Sequence, residues 1–193
     1  MPKIQTDSLV EHRDWRRNQL IEAAAAIALE SGGDSVTVAA VAQRAGLSRT
    51  SVYEYFASSS DLIADLIIDE LKTFTEILNA SVSEIYDPFD AIQCWIETSL
   101  SYVADGRHLL AKALNATDIP RERGVQIAAA HRALLAPLTA SLEAIGITDT
   151  AQALYLLQAA TDVATKRIEN GNDAEREIVK TSAFCIAGIR ALI

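Results

Sequence analysis

The chain has 193 residues, of which 50% are hydrophobic and 22% charged, and it carries a net charge of −9 at pH 7. This composition excludes an intrinsically disordered chain, because enough apolar surface is present to build a core. The net negative charge argues against nucleic-acid binding over the whole surface. The longest uninterrupted apolar run, residues 23–29, is far shorter than the roughly 20 residues that cross a bilayer.

The charge is unevenly distributed along the chain. Residues 1–60 carry six basic and seven acidic side chains, whereas residues 61–193 carry eleven basic and nineteen acidic ones. A local basic patch is enough to contact phosphates, so the nearly neutral first part remains compatible with a DNA partner. The chain has only two cysteines, Cys94 and Cys185, and residues 1–15 lack the apolar core of a signal peptide. We therefore expect a soluble cytoplasmic protein without a disulfide framework.

The first sixty residues predict three helices. An alanine-rich helix over residues 14–30 ends before a pair of glycines. Thr37 can cap a second, shorter helix, after which Gly46 supplies a left-handed turn. Ser48 can cap a third helix that ends at about residue 55.

The remaining residues predict about six further helices with short connections and no strands. The fourth helix begins near residue 59 and repeats its apolar residues at the helical period. Residues 87–90, Asp-Pro-Phe-Asp, form a strong start for the fifth. A short sixth helix is expected over about 108–116, and a seventh from 118–120 to 145 with a kink at Pro137. The eighth helix is expected to begin at residue 149, and the ninth to run from residue 173 to the end. The predicted class is all-α, with domains over residues 1–58 and 59–193.

Residues 38–56, VAAVAQRAGLSRTSVYEYF, have the spacing of a helix-turn-helix. Ala42 is small enough for two helices to cross closely, Gly46 can adopt a positive φ in the turn, and Val52 can hold the second helix against the first. A plain helical hairpin with a glycine turn remains the alternative. The residues left on the outer face of the second helix, where a recognition helix contacts base edges, are Arg49, Thr50, Ser51 and Tyr53.

The flanking residues extend this pattern. The stretch VTVAAVAQRAGLSRTSVYEYFASSSDLIADLI resembles the N-terminal domain of TetR-type transcriptional repressors. In that family the helix-turn-helix is followed by a tyrosine, a variable residue, a histidine or tyrosine, and a phenylalanine, and Tyr53, Tyr55 and Phe56 occupy these positions. The close match covers about residues 14–68, and the rest agrees only in the number and length of its helices.

The resemblance implies a DNA-binding role for seven residues. The hydroxyl groups of Thr37 and Ser48, with nearby backbone N–H groups, would bind phosphates. The next three residues would read bases, with an arginine–guanine pair as the most specific contact. The two tyrosine hydroxyls would hold the DNA backbone, although Tyr55 also fits a core aromatic residue with an exposed hydroxyl. The seven residues are Thr37, Ser48, Arg49, Thr50, Ser51, Tyr53 and Tyr55.

Two positions depart from the family pattern. Ser59 stands where a phosphate-binding lysine is common, and Thr50 stands where a glycine is frequent. Loss of the lysine predicts a weaker salt-dependent component of DNA binding. Arg13, Arg16 or Arg17 would compensate for it.

The last two helices are predicted to form a homodimer. A single helix-turn-helix contacts few base pairs, so such proteins pair across a two-fold axis. Small residues at four-residue spacing, flanked by bulky apolar ones, permit close helix packing, although packing inside one protomer is the alternative. The expected interface residues are Ala160, Ala164, Ala183, Phe184, Ala187 and Ala191.

The middle helices, residues 87–168, are expected to surround a small-molecule pocket. Larger polar and aromatic side chains on otherwise apolar helices suit such a lining, although each one also fits an ordinary core or surface position. The fourth helix would transmit ligand binding to the DNA-binding domain. The candidate ligand-binding residues are Trp95, Tyr102, His108, Asn115, His131, Tyr155, Gln158 and Asp162.

These features predict a ligand-responsive transcriptional repressor that binds a palindromic operator as a homodimer and is released by a small-molecule effector. Catalytic residues, a metal site and a cofactor are not expected, because the histidines and cysteines lack the spacing of such sites. A membrane partner is not expected either, because the longest apolar run is too short to cross a bilayer. Asp105 and His108 lie one helical turn apart, but this spacing is more often a surface contact. A helical protein-interaction module and a ligand-independent activator of the same fold are the alternatives.

Overall fold

The computed structural model describes residues 9–114 and 121–193, apart from the side chains of residues 9, 10 and 111. Over these ranges the chain forms nine α-helices and a single 3-10 turn, Gly33–Ser35, which confirms the all-α prediction. The helices are α1 (Leu9–Ser31), α2 (Val38–Ala45), α3 (Arg49–Tyr53), α4 (Ser59–Val82), α5 (Pro88–Ala104), α6 (Leu109–Leu114), α7 (Arg121–Ala144), α8 (Thr150–Glu169) and α9 (Ala174–Arg190).

Most predicted helix starts agree with the structure. The start of α1 does not, because this helix begins at Leu9 and not at the predicted residue 14. One of the helix ends also differs. α3 ends at Tyr53, and the backbone N–H of Tyr55 then donates to the Val52 carbonyl three residues earlier, which closes a tighter turn. The helix start predicted at residues 118–120 lies outside the described residues. None of the described helices has the length and apolar character needed to cross a membrane.

Contacts divide the chain into two compact units. The first comprises residues up to Glu70 together with Leu110–Ala128, and the second comprises Leu71–Leu109 together with Ala129–Ile193. α4 and α7 therefore each contribute residues to both units. The domain boundary that the sequence predicts, after residue 58, falls just before α4. The contacts between residues extend the first unit further, to the first half of α4 and the start of α7.

The core of the first unit is formed by α1, α2, α3 and the beginning of α4. Leu20 of α1, Val41 of α2 and Val52 of α3 are fully buried in it, and Phe56 lies in the same cluster with 1% of its surface exposed. Burial of an aliphatic or aromatic side chain of this size contributes about 1.5–3 kcal/mol. These contacts hold α3 against α2 and leave its opposite face exposed.

In the second unit α5 packs against both α8 and α9. Ile92, Trp95 and Leu100 project from α5 into an apolar cluster, to which Leu138 of α7 and Leu157 of α8 also belong. α7 continues as a single helix through the predicted kink position, Pro137.

The junction between α8 and α9 is held by side-chain hydrogen bonds. The carboxylate of Asp173 accepts a hydrogen bond from the backbone N–H of Arg176 and caps α9. The Arg167 guanidinium donates two hydrogen bonds, each 2.8 Å long, to the carboxylate oxygens of Glu177. These hydrogen bonds hold the pKa of Glu177 below its usual value.

Candidate nucleic-acid interface

The start of α2 is fixed by two side-chain caps. The Thr37 hydroxyl accepts a hydrogen bond of 3.1 Å from the backbone N–H of Ala40. The hydroxyl of Ser59, the residue that replaces the family's lysine, accepts one of 3.2 Å from the backbone N–H of Val38. Both N–H groups are therefore already bonded within the protein. Thr37 is exposed, so its hydroxyl remains accessible at this helix terminus.

The turn between α2 and α3 depends on Gly46, which adopts a left-handed conformation with φ of 67°. The backbone N–H of Leu47 donates to the Ala42 carbonyl over 2.9 Å, and that of Gly46 donates to the Gln43 carbonyl over 3.2 Å. This pair of hydrogen bonds is the usual way in which a helix ends at a glycine. The turn sets the direction in which α3 leaves α2, as the sequence predicted.

α3 presents its front residues to solvent. The Ser48 hydroxyl accepts a hydrogen bond of 3.1 Å from the backbone N–H of Ser51 and also lies 3.0 Å from the Ser51 hydroxyl. These two side chains are therefore engaged with each other. Arg49, Thr50 and Tyr53 are exposed and have no hydrogen-bond or ion-pair partner within the described part of the chain.

Carboxylates neutralise some of the arginines of the first unit. Arg44 donates two hydrogen bonds, each 2.6 Å long, to the carboxylate of Glu30. This contact lowers the pKa of Glu30 and raises that of Arg44. Arg17 is paired with Asp65. Within the described ranges no carboxylate is paired with Arg49, so its charge remains available to an external partner.

A charged network connects three helices of the first unit. Arg123, near the start of α7, pairs with both Asp61 and Asp65 of α4, and its Nε lies 3.3 Å from Asp61 Oδ1. Asp65 also pairs with Arg17 of α1. The backbone N–H of Asp61 donates to the Ser58 hydroxyl, which caps α4. The network places the first turns of α4 against α1 and α7.

The candidate ligand-binding residues differ in their exposure and contacts. Trp95 and Tyr102 are buried on one face of α5, and the Tyr102 ring stacks on Phe74 with centroids 4.5 Å apart. His108 Nε2 lies 2.8 Å from Glu169 Oε1. Trp95 Nε1 and His108 Nδ1 are both buried and have no hydrogen-bond partner among the described residues. Gln158 is half-buried, Asn115 lies outside the described residues, and the exposed candidates are His131, Tyr155 and Asp162.

The candidate dimer residues separate into two groups. Ala183, Phe184, Ala187 and Ala191 are exposed on or just after α9, with 71% of Phe184 accessible. The α8 alanines behave differently, because Ala164 is buried in the core of the second unit and Ala160 packs against that core. Both alanines therefore pack against the core of their own unit, Ala164 fully and Ala160 in part.

The sequence prediction missed most of an apolar groove between α8 and α9. Its lining residues are Ala153, Leu156, Leu157, Phe184, Cys185, Gly188, Ile189 and Leu192. Leu156 and Val163 of α8 are 53% and 58% exposed, and their seven-residue spacing was a signal in the sequence for a common helix face. Burial raises the pKa of Cys185 to about 11, so its thiol stays protonated at neutral pH.

A capped α2, a glycine turn and an α3 with an exposed front together define a helix-turn-helix protein. Residues 20–66 match the family model described as bacterial regulatory proteins, tetR family. The HTH-type transcriptional regulator BetI of Brucella canis is 32% identical over 101 residues, which are 52% of this chain and 48% of that protein. The match to these curated relatives thus spans about half of their length.

Solved structures share the fold over nearly the whole chain. FadR from Bacillus subtilis in complex with stearoyl-CoA superposes with a TM-score of 0.70 at 22% identity, covering 91% of this chain and 98% of that one. A proposed transcriptional regulator from Pseudomonas aeruginosa PAO1 has a TM-score of 0.79 at 19% identity, covering 93% and 92%. Over residues 20–66 the chain is thus similar to bacterial regulatory proteins of the tetR family, which supports the predicted TetR-type regulator. Similarity to transcriptional regulators also supports the prediction that the protein is not an enzyme.

Proposed function

We propose that this protein is a transcriptional repressor that binds a palindromic DNA operator as a homodimer and leaves it when a small molecule binds. The observation that supports this function best is the exposed front of α3, where Arg49, Thr50 and Tyr53 make no hydrogen bond or ion pair with any described residue. The caps and the glycine turn hold this face rigidly. A DNA partner in a bacterial regulator implies the cytoplasm.

The chemistry of the α3 face fits the major groove. An arginine can donate two hydrogen bonds to O6 and N7 of guanine, which makes Arg49 the expected base-specific contact. Thr50 can contact a neighbouring base edge, and the Tyr53 and Tyr55 hydroxyls can donate to phosphate oxygens. The hydroxyls of Thr37 and Ser48 accept from backbone N–H groups and can donate their own hydrogen to flanking phosphate oxygens.

The apolar groove between α8 and α9 is proposed as the dimer interface. Leu156 and Phe184 line this groove and are largely exposed, and Val163 of α8 is 58% exposed. A face of this kind favours association with a second copy, because burial removes its apolar surface from water. Two-fold pairing would also supply the second helix-turn-helix that a palindrome requires.

The effector is expected to combine an apolar body with a hydrogen-bond acceptor. The second unit has an apolar core in which Trp95 Nε1, a group that can only donate, has no acceptor among the described residues. One fold neighbour is in complex with stearoyl-CoA, which has a long apolar chain and a thioester carbonyl. Stearoyl-CoA is therefore the first effector probe. It would release DNA only if its affinity were higher for the conformation that binds DNA poorly than for the one that binds DNA well.

The function can be tested by selecting duplexes from a random pool with the purified protein. We expect a palindrome with two half-sites about one helical turn apart. Arg49→Ala should weaken binding by about 1–3 kcal/mol at a guanine site and relax specificity there. Arg132→Ala, an exposed arginine of α7, is the matched control and should leave the selected sequence unchanged.

Three outcomes would separate the alternatives. Failure to enrich any duplex would favour a protein-interaction module. An enriched site without a palindrome would contradict the symmetric dimer. DNA binding that resists stearoyl-CoA and other acyl effectors would favour a ligand-independent regulator.

A further inference from the structure

α1 brings Arg13, Arg16 and Arg17 to the first unit, and the structure separates their roles. Arg17 is paired with Asp65, and its guanidinium carbon lies 5.8 Å from the centroid of the Phe56 ring. Its charge is therefore already paired within the protein.

Arg13 is placed differently. It is exposed, and its guanidinium carbon lies 5.9 Å from the centroid of the Tyr55 ring. Among the described residues no carboxylate is paired with it. Stacking on an aromatic ring contributes about 0.5–1 kcal/mol at exposed sites and restricts the side chain to fewer conformations. Arg13 is thus a positioned cation whose hydrogen-bond donors remain available.

An open cavity lies between α1 and the residues that follow α3. It is lined by His12, Arg13, Glu54 and Tyr55. Glu54 and Tyr55 directly follow α3, so this cavity lies beside the end of that helix. Glu54 is the acidic residue of the lining.

We propose that Arg13 and Tyr55 form a phosphate-binding site for the DNA backbone that borders the groove read by α3. The guanidinium would donate two hydrogen bonds to phosphate oxygens, and the Tyr55 hydroxyl would donate a third. This inference rests on the proposed DNA-binding function. It explains how the chain tolerates the loss of a lysine at position 59, where the Ser59 hydroxyl instead caps α2.

The contact predicts a specific salt dependence. Each phosphate neutralised by a cation adds about 0.9 to the slope of log affinity against log salt concentration. The slope can be measured by fluorescence anisotropy on a mixed-sequence duplex of about 30 base pairs, between about 50 and 200 mM KCl. Arg13→Gln should reduce the slope by about 0.9 for each helix-turn-helix domain that binds DNA. Arg13→Lys, which keeps the charge, should retain it.

Arg16→Gln is the matched control, since this arginine lies on the same helix and no aromatic or carboxylate contact is described for it. Its slope should equal that of the wild type. An unchanged slope in Arg13→Gln, or an equal loss in both variants, overturns the proposal. Absence of DNA binding by the wild-type protein would instead contradict the proposed function itself. Far-UV circular dichroism checks that the helices persist, and a slope retained by Arg13→Lys but lost in Arg13→Gln assigns the effect to charge.

Discussion

At the scale of single residues, Gly46 sets the direction of α3 through its φ of 67°. A left-handed conformation is strained for any residue with a Cβ atom by about 1–2 kcal/mol. No heavy atom lies within 4 Å of the position where a Cβ atom would stand at Gly46, so this cost is purely one of the backbone.

We therefore expect Gly46→Ala to lower the free energy of unfolding by about 1 kcal/mol. Gly124→Ala is the matched control, because Gly124 lies within α7 and a Cβ atom there also meets no atom within 4 Å. That substitution should stabilise the protein by about 0.5–1 kcal/mol, since alanine loses less backbone entropy in a helix. Urea unfolding measures both values. A shift of the two variants in the same direction would contradict the assigned role of the turn.

At the scale of elements, an ion pair fastens α8 to α9. Arg167 holds both carboxylate oxygens of Glu177, and the pKa of Glu177 is lowered from 4.5 mainly by these hydrogen bonds. A carboxyl group with a lowered folded-state pKa stabilises the fold above its unfolded-state pKa. That stabilisation disappears as the pH falls through the folded-state value.

Glu177→Gln should accordingly lower the melting temperature at pH 7, by a small amount because the pair is at the surface. The difference from the wild type should diminish as the pH falls below about 4.5, the ordinary pKa of this group. Thermal unfolding followed by circular dichroism between pH 7 and pH 3 tests this dependence. Glu175→Gln, in the first turn of the same helix, is the control, since no ion pair is described for Glu175. A difference that persists at low pH would mean that packing, rather than charge, is responsible.

At the scale of the whole molecule, the exposed apolar face of α8 and α9 is the proposed dimer interface. Phe184 is 71% exposed at the edge of the groove, so its replacement costs the protomer little of its own packing. A charge placed there would have to be buried in a dimer, at a large cost in free energy.

Phe184→Glu should therefore give a folded monomer by sedimentation equilibrium, whereas the wild type should be a dimer. The variant should also bind a palindromic duplex no more tightly than a single half-site. Tyr86→Glu is the control, because Tyr86 is an apolar residue with 98% exposure in the link between α4 and α5. A Phe184→Glu variant that remains dimeric would place the interface elsewhere.

The sequence by itself determined the helices, their caps and the helix-turn-helix. Thr37, Gly46 and Ser48 act on backbone groups within a few residues of themselves, so their roles are visible in a short stretch of chain. The resemblance to the tetR family was recognisable for the same reason, because the pattern lies in consecutive residues around α3.

Only the tertiary structure decided which charged and apolar groups remain available to partners. Arg44 is neutralised by Glu30 and Arg17 by Asp65, whereas Arg13 lies over Tyr55, and each of these contacts joins residues distant in the sequence. The exposed groove of α8 and α9 likewise depends on which faces those helices turn toward α5. The local helical pattern leaves such choices open because helices of similar composition can bury different faces, and only their mutual packing selects one.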